Sequence, residues 1–473
     1  MDRSENASWL DPVEGDVLAY FRVVFGLMGA YWAARMWQSG GIDAYYIEPA
    51  YHFHYFGFGW VNLFGETVTR FEFTILFAAG LLIALGLFYR FASLAFAVVF
   101  THLFLADKCL YQNHYYLICL IAWLLVVIPA HRAYSLDRMI WPQLKKRCVR
   151  RWTIWLLRFQ IGVPYFFGAI AKINGDWLQG EPMRTMLANR VDFPGVGPFF
   201  SQEWCVILFA GGGLLFDLLV VPGLLFKRTR ILACCLACLF HLTNAWLFTI
   251  GVFPWFMLFA LPLYFPPCCV RRLLRFGQPN GASSDKDSVS PPNSVSARLL
   301  AAFLTMYVLW QVLMPLRHFA LPGNPNWTEE GHCFSWHMLV RGKRSALRLN
   351  VSDARTGRSG SADLRPFVTA LQLGRVARDP RLIHELASLV SAEMHSLGFE
   401  EIQVHAVSLV SMNGRRPQYL VHPKVDLATN PPGWLAPAWI VPLQEPLRKD
   451  AWDQPLSTWE AAAIPVTEPN TPP

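Results

Sequence analysis

The chain has 473 residues, 54% of them hydrophobic and only 16% charged, against about 25% charged in a soluble domain. That balance excludes an ordinary water-soluble globule and makes a bilayer the main solvent. The formal charge of +8 does not argue for nucleic acid, because the basic residues gather in loops beside apolar runs, where they report membrane orientation.

Apolar windows of about twenty residues can cross a hydrocarbon core of about 30 Å with every backbone group paired. They predict a polytopic α-helical membrane protein with nine spans, at about 15–37, 70–89, 91–107, 114–130, 153–171, 203–226, 231–249, 252–266 and 297–318. The N-terminal MDRSENASWLDPVEGD is polar and acidic, so the first span is expected to be its own insertion signal. In the following YHFHYFGFGW, His52 and His54 lack a nearby carboxylate cluster. An interfacial aromatic belt is the simpler expectation there, and no metal is assigned. Asn113 and His114 open the fourth span, and Lys172 ends the fifth in AIAKINGDWLQG, Ala169 to Gly180. Asp217 lies within the sixth span, and His241 within the seventh, three residues before Asn244 on the same helix face. Cys234, Cys235 and Cys238 read as small hydrophobes, while Cys109 and Cys333 cannot be paired from sequence.

Ionisable groups inside spans cost about 2.5–3.5 kcal/mol each at a helix centre, so each needs an account. For Lys172 two stand open: an ammonium threaded to the headgroups, or an amine held in a poorly solvated pocket as a general base. Asp217 is expected to pair structurally with a basic side chain across helices. His241 is either a core histidine bonded to a carbonyl or part of a polar face lining a cavity.

Basic residues in the connections at 132–151, 227–230 and 271–275 fall on one side if there are nine spans, and that side is predicted cytoplasmic. Everything after His318 then faces outward. Gly277 to Ser296, rich in Ser, Pro, Asn and Gly, reads as a flexible linker. Residues 1–320 form the membrane domain in this division, and 321–445 an extracytoplasmic α+β domain. In the latter, Ser345 to Val368 alternates, Arg381 to Gly398 has helical spacing, and strands flank the hairpin signal Asn413-Gly414. Residues 446–473 form a Pro-rich tail whose end, TEPNTPP, is expected to be disordered. Between Arg341 and Arg381 ten basic residues face three aspartates, which predicts a face attractive to an acidic peptide or simply a solvated surface. Asn326 and Asn350 head sequons on the outer side.

Five blocks, in order, resemble the vitamin K-dependent γ-glutamyl carboxylase family: DKCLYQNHYYL, RFQIGVPYFFGAIAKINGDWLQGEPM, FHLTNAWLFTIGVFPWFML, NPNWTEEGHCFSWHML and HPKVDL. The resemblance covers roughly residues 15–445. It implies an HTTM-type membrane domain and an enzyme that couples oxidation of reduced vitamin K, as phylloquinol or menaquinol, by O2 to carboxylation of protein glutamate with CO2. Lys172 matches the family's base, which deprotonates the hydroquinone, and His114 its catalytic neighbour. Asn113, His241 and Asn244 match quinone contacts, and Trp336 matches the Ser-Trp motif by the glutamyl peptide. Arg341 and Arg344, from the basic stretch, complete the expected peptide site. The implied partners are a lipid quinone and a glutamate-containing protein or peptide, with no nucleic acid.

The chain departs from the family at His332, Cys333 and Phe334, which replace a tyrosine-rich block, and at Ala171, where animal members have lysine. It also ends soon after the first external domain, as a short, bacterial-like member would. Two alternatives remain at this stage: a quinol epoxidase of the same fold that does not carboxylate, and a transporter or lipid-binding protein, which predicts inverted repeats around a midplane site.

Overall fold

The computed structural model describes residues 8–144, 147–248, 250–274, 294–434 and 437–466. Lys145, Lys146, Arg275, most of the expected linker and TEPNTPP lie outside the described residues. Among the described residues the apolar helices are, in chain order, α1 (Asp16–Gln38), α2 (Glu66–Leu85), α3 (Tyr89–Ala106), α4 (Asn113–Val127), α5 (Arg151–Lys172), α6 (Glu203–Leu225), α7 (Arg230–Leu247), α8 (Phe253–Ala260) and α9 (Ser294–Leu316). Seven of them are long and apolar enough to cross a membrane, and the chain is a polytopic helical membrane protein. The fourth and eighth expected spans are shorter. The 15 residues of α4 reach about 22 Å, and Pro129 follows directly after its C-cap Ile128, where a helix cannot continue. Helix α8 starts just after Gly251, whose φ is +68°, and passes into a 3-10 turn carrying Pro262.

Small residues set the closest helix pair. A Cβ on Gly26 of α1 would fall 2.4 Å from the Gly80 carbonyl oxygen of α2, so the backbones touch only because both positions are glycine. Buried aromatics, among them Phe25, Trp32, Phe73 and Phe96, fill the space between α1, α2 and α3. At the starting end of α1, strand β1 (Pro12–Glu14) pairs with β2 (Cys148–Arg150), and both Arg147 and Arg271 reach Asp16. Part of the basic connections therefore meets at one end of the bundle.

The other end carries the polar C-terminal region. Strands β3 (Lys343–Asp353), β4 (Ser359–Ser361), β5 (Ile402–Met412) and β6 (Gln418–Tyr419) form an antiparallel sheet ordered β4-β3-β5-β6. Strands β3 and β5 pair along their whole length, from Lys343 opposite Met412 to Asp353 opposite Ile402. Alternation turns Leu349, Val404, Ala406 and Val410 into a core shared with Leu382, Leu386 and Val390 of α10 (Pro380–Ser396). Asp379 caps that helix by accepting from the Arg381 and Leu382 amides. Beyond β5, Asn413 and Gly414 take positive φ of 52° and 73°, as a tight hairpin turn demands.

The expected basic face is largely neutralised. Arg344 meets Asp453, Arg348 meets Glu460, Arg355 meets Glu400, Arg365 meets Asp363 and Arg381 meets Glu330. Asp453 and Glu460 belong to the Pro-rich tail, which lies against β3 and buries Trp459. Asn326 is buried with Oδ1 3.2 Å from His337 Nδ1, so its sequon is not presented to solvent. His52 and His54 reach Asp107 and Glu385, at 3.2 and 2.9 Å, and tie the loop after α1 to α10. Cys109 and Cys333, which could not be paired from sequence, are both free thiols.

Candidate active site

Helix α5 stops at Lys172 because the chain turns at once into a second, four-residue helix, Gly175–Leu178. Asn174 caps it, its Oδ1 accepting from the Asp176 and Trp177 amides. Trp177 is buried and donates its indole N–H to the Ala210 carbonyl of α6 at 2.9 Å, which locks the turn against that helix. Lys172 is 5% exposed, buried among the helices. Its Nζ stands 2.6 Å from Asp217 Oδ2 of α6, 3.4 Å from the Gly168 carbonyl and 5.2 Å from the Trp177 ring. A pair this deep gains from its short contact what it loses in desolvation only while both partners remain, and removing either typically costs about 3–5 kcal/mol.

The pair opens onto a cavity of about 1340 Å³ with two unlike ends. Leu215, Phe216, Leu219, Leu236 and Phe240 of α6 and α7 form an apolar wall, into which His241 and Asn244 bring polar atoms. His241 Nε2 lies 2.5 Å from the Tyr165 hydroxyl, and its buried Nδ1 has no partner among the described residues. At the helix ends, Asn113 is fixed by both halves of its amide: Oδ1 accepts from the Tyr111 hydroxyl at 2.9 Å and Nδ2 donates to the His337 carbonyl at 3.0 Å. The His114 ring lies against Tyr115 and Phe253.

The opposite end is charged and belongs to the C-terminal region. Glu329 accepts from Arg341 Nε at 2.8 Å and Nη2 at 2.5 Å, and from Lys343 Nζ at 2.5 Å. Lys343 spends its other two protons on the carbonyls of Trp327 and Arg378. Arg341 keeps two of its five N–H groups, since Nη1 donates once, to His332 Nε2 at 2.6 Å. That contact makes Nε2 an acceptor and places the His332 proton on Nδ1, which is buried with no partner among the described residues. Burial first, then the neighbouring Arg341, pushes His332 well below the usual histidine range, and burial pulls His337 down to about 3. Burial also lowers Lys343 to about 8 against the pull of Glu329. At Lys108 burial works against the charge, yet Asp379 at 2.6 Å leaves it above the ordinary lysine value. Within this segment Glu329, Phe334, Trp336 and Leu339 all hold positive φ between 57° and 64°, the kind of strain that gathers at functional sites.

Of the residues singled out in the sequence, Lys172, Asn113, His114, His241, Asn244 and Arg341 line this one cavity. Trp336 and Arg344 are not among its lining residues. Trp336 is buried with its ring 4.9 Å from that of Tyr116, and Arg344 is exposed on β3 beside Asp453 and Trp459. Sequence reasoning expected a basic partner for Asp217 across helices without naming Lys172, and it gave no role to Tyr165, Glu329, His332 or Lys343. An in-span carboxylate was the signal for Asp217, whereas Glu329 in NPNWTEEG carried none.

Two family comparisons bear on this geometry. A family model described as the HTTM domain matches residues 10–268, more than half of the chain. A second, described as the vitamin K-dependent gamma-carboxylase, lumenal domain, matches residues 296–446. No solved structure matches the chain. The second match takes in the last apolar helix, α9, as well as the β-sheet region, and the cavity draws residues from both matches: the chain belongs to the vitamin K-dependent gamma-glutamyl carboxylase family.

Proposed function

We propose that this protein carboxylates glutamate in a protein or peptide substrate and couples that step to oxygenation of vitamin K hydroquinone to its 2,3-epoxide. The observation that carries the proposal is one cavity joining an apolar, membrane-side wall and the Lys172–Asp217 pair to the Arg341 cluster outside. The apolar wall, with the unpartnered His241 Nδ1 and Asn244, suits a flat aromatic ring with polar edges and an isoprenoid tail. His114, Asn113 and the ring of Phe253 would bound that ring on the helix-end side.

When bound, the reduced quinone supplies, with O2, the strong base needed to take the glutamate γ-proton before CO2 adds. For this step Lys172 must enter as the neutral amine; it then receives the hydroquinone proton, and Asp217, 2.6 Å away, balances the ammonium so formed. Burial of both groups keeps water from competing for that base. The two free N–H groups of Arg341 take the substrate carboxylate, while Lys343 and His332 hold the guanidinium in place through Glu329 and Nε2. In this proposal all nine apolar helices enter the membrane, the basic connections are cytoplasmic, and residues 321–445 form an α+β domain outside. O2 and CO2 are co-substrates and no metal takes part.

A paired assay on purified protein in nanodiscs tests this. Supplied with reduced vitamin K, O2, labelled bicarbonate and a glutamate-rich peptide, the protein should form epoxide and fix label together. Neither product forming would sink the proposal. One observation favours a second possibility, epoxidation without carboxylation: Glu329 already occupies one edge of Arg341. Epoxide formed at full rate with every glutamyl peptide tried, and no fixed label, would establish that alternative.

A further inference from the structure

The two halves of the cavity are joined by a hydrogen-bonded bridge that none of the chemistry above uses. It starts at Lys172, whose carbonyl accepts from the Asn174 amide at 2.9 Å. Asn174 then fixes the next turn through its cap on Asp176 and Trp177. Asp176 turns away from the bundle to the hairpin of the extramembrane sheet. Its Oδ1 accepts from Arg415 Nη2 at 2.6 Å, and its Oδ2 from Arg415 Nη1 and Asn413 Nδ2, both at 2.7 Å. Asn413 passes the connection on: its Oδ1 accepts from the Gly342 amide at 2.7 Å, and its own amide donates to the Gly342 carbonyl at 2.8 Å. Gly342 stands between Arg341 and Lys343.

Every link is short, and the central ones are charge-assisted and bidentate, the strongest class of protein hydrogen bond. Arg415 and Asn413 are both buried, and Arg415 is further pinned by the Glu445 carbonyl at 2.9 Å. The left-handed φ of Asn413 belongs to the hairpin turn that brings both side chains to Asp176.

We propose that Asp176, Asn413 and Arg415 are positioning residues that set the distance between Lys172 and Arg341, and thereby the coupling of quinol oxygenation to glutamate carboxylation. The inference rests on the function proposed above. Coupled chemistry at two sites needs the base formed on one side to meet the γ-carbon held on the other, and a misplacement of about 1 Å can cost about a hundredfold. With the bridge loosened, that base takes its proton from water in place of glutamate, and epoxide accumulates without carboxylation.

Two isosteric variants cut the bridge. Asp176→Asn removes the carboxylate facing Arg415, and Asn413→Asp sets carboxylate against carboxylate. The swap Asp176→Asn with Asn413→Asp re-forms the link with donor and acceptor exchanged, still beside Arg415. Each single variant should raise the ratio of epoxide to γ-carboxyglutamate about tenfold at unchanged quinol KM, and the swap should bring the ratio back toward wild type. If either single variant fails to fold, the other carries the comparison, with Arg415→Lys as a third. Folded single variants that lose both products in step, or keep the wild-type ratio, would overturn the inference and leave a purely structural tie. Amide hydrogen exchange over 341–343 and 412–415 reads the bridge without turnover. A wild-type protein that makes epoxide but no γ-carboxyglutamate would overturn the parent function and this inference with it, while faster exchange in the variants would still report the bridge.

Discussion

Lys172 and Lys343 are both buried, and each stands against one carboxylate, Asp217 at 2.6 Å and Glu329 at 2.5 Å. Their remaining contacts differ. Lys343 gives its other protons to two backbone carbonyls, and its carboxylate is shared with Arg341, so its ammonium is fully spent within the C-terminal region. Lys172 has one strong partner, a long contact to Gly168 and an aromatic face, and its amine borders the cavity. A lysine whose three protons are all committed holds structure together. One with a proton site open to a cavity can exchange a proton with what enters it.

The largest test of that contrast is Lys172→Ala. Epoxide formation should fall by about 10²–10⁴, the usual worth of a positioned general base. The substitution also strands Asp217, at about 3–5 kcal/mol. The double variant Lys172→Ala with Asp217→Asn should therefore recover much of the lost thermal stability while epoxide stays absent. A double variant that regains epoxidation would remove Lys172 from the chemistry and leave it a structural partner like Lys343.

Arg341 comes next. Its two uncommitted N–H groups are the means by which the charged half can hold a carboxylate, and a hydrogen bond to a charged group is worth about 1.5–3 kcal/mol. Arg341→Gln should raise the peptide KM about tenfold to a hundredfold and leave the quinol KM alone; an equal rise in both would mean that the two ends of the cavity are not distinct sites. Lys343 sharpens this through pH. Burial lowers it to about 8, so its charge beside Glu329 is complete below that value and lost as pH rises through it. The peptide KM should rise a few-fold across that step, and Lys343→Arg should flatten it. Stability moves the other way: between about pH 8 and the ordinary lysine range the unfolded chain binds more protons, so this group's contribution to stability rises with pH. A KM profile with no step near pH 8 would detach Lys343 from the peptide site.

Much of the membrane-side half was legible in the sequence because polar atoms are conspicuous in apolar helices. Asn113, His114, Lys172, His241 and Asn244 each stood out, and one cavity gathers them. What the sequence did not reveal was register across helices. Lys172 and Asp217 are 45 residues apart, and their contact depends on how α5 packs against α6. The C-terminal half was less legible, because a charge in a polar segment looks the same whether solvated, paired or aimed into a cavity. Arg341 and Arg344 were indistinguishable by composition, yet one lines the cavity and the other lies on the outer side of β3. The strands and α10 were visible from alternation and helical spacing, whereas the neutralising carboxylates lay far along the chain, at Asp453 and Glu460.

The smallest expected effect follows from that last pair. Arg344 is half exposed, lies 3.1 Å from Asp453 and covers the ring of the buried Trp459. An exposed ion pair of this kind contributes little, so Arg344→Gln should leave the peptide KM within about twofold of wild type. Its effect should appear as looser docking of the tail, read as faster proteolysis or hydrogen exchange near residues 452–460. A peptide KM that rises as far as it does for Arg341→Gln would extend the substrate path from the cavity out over β3. The contrast between a committed surface arginine and an uncommitted cavity arginine would then no longer separate structure from function in this half of the molecule.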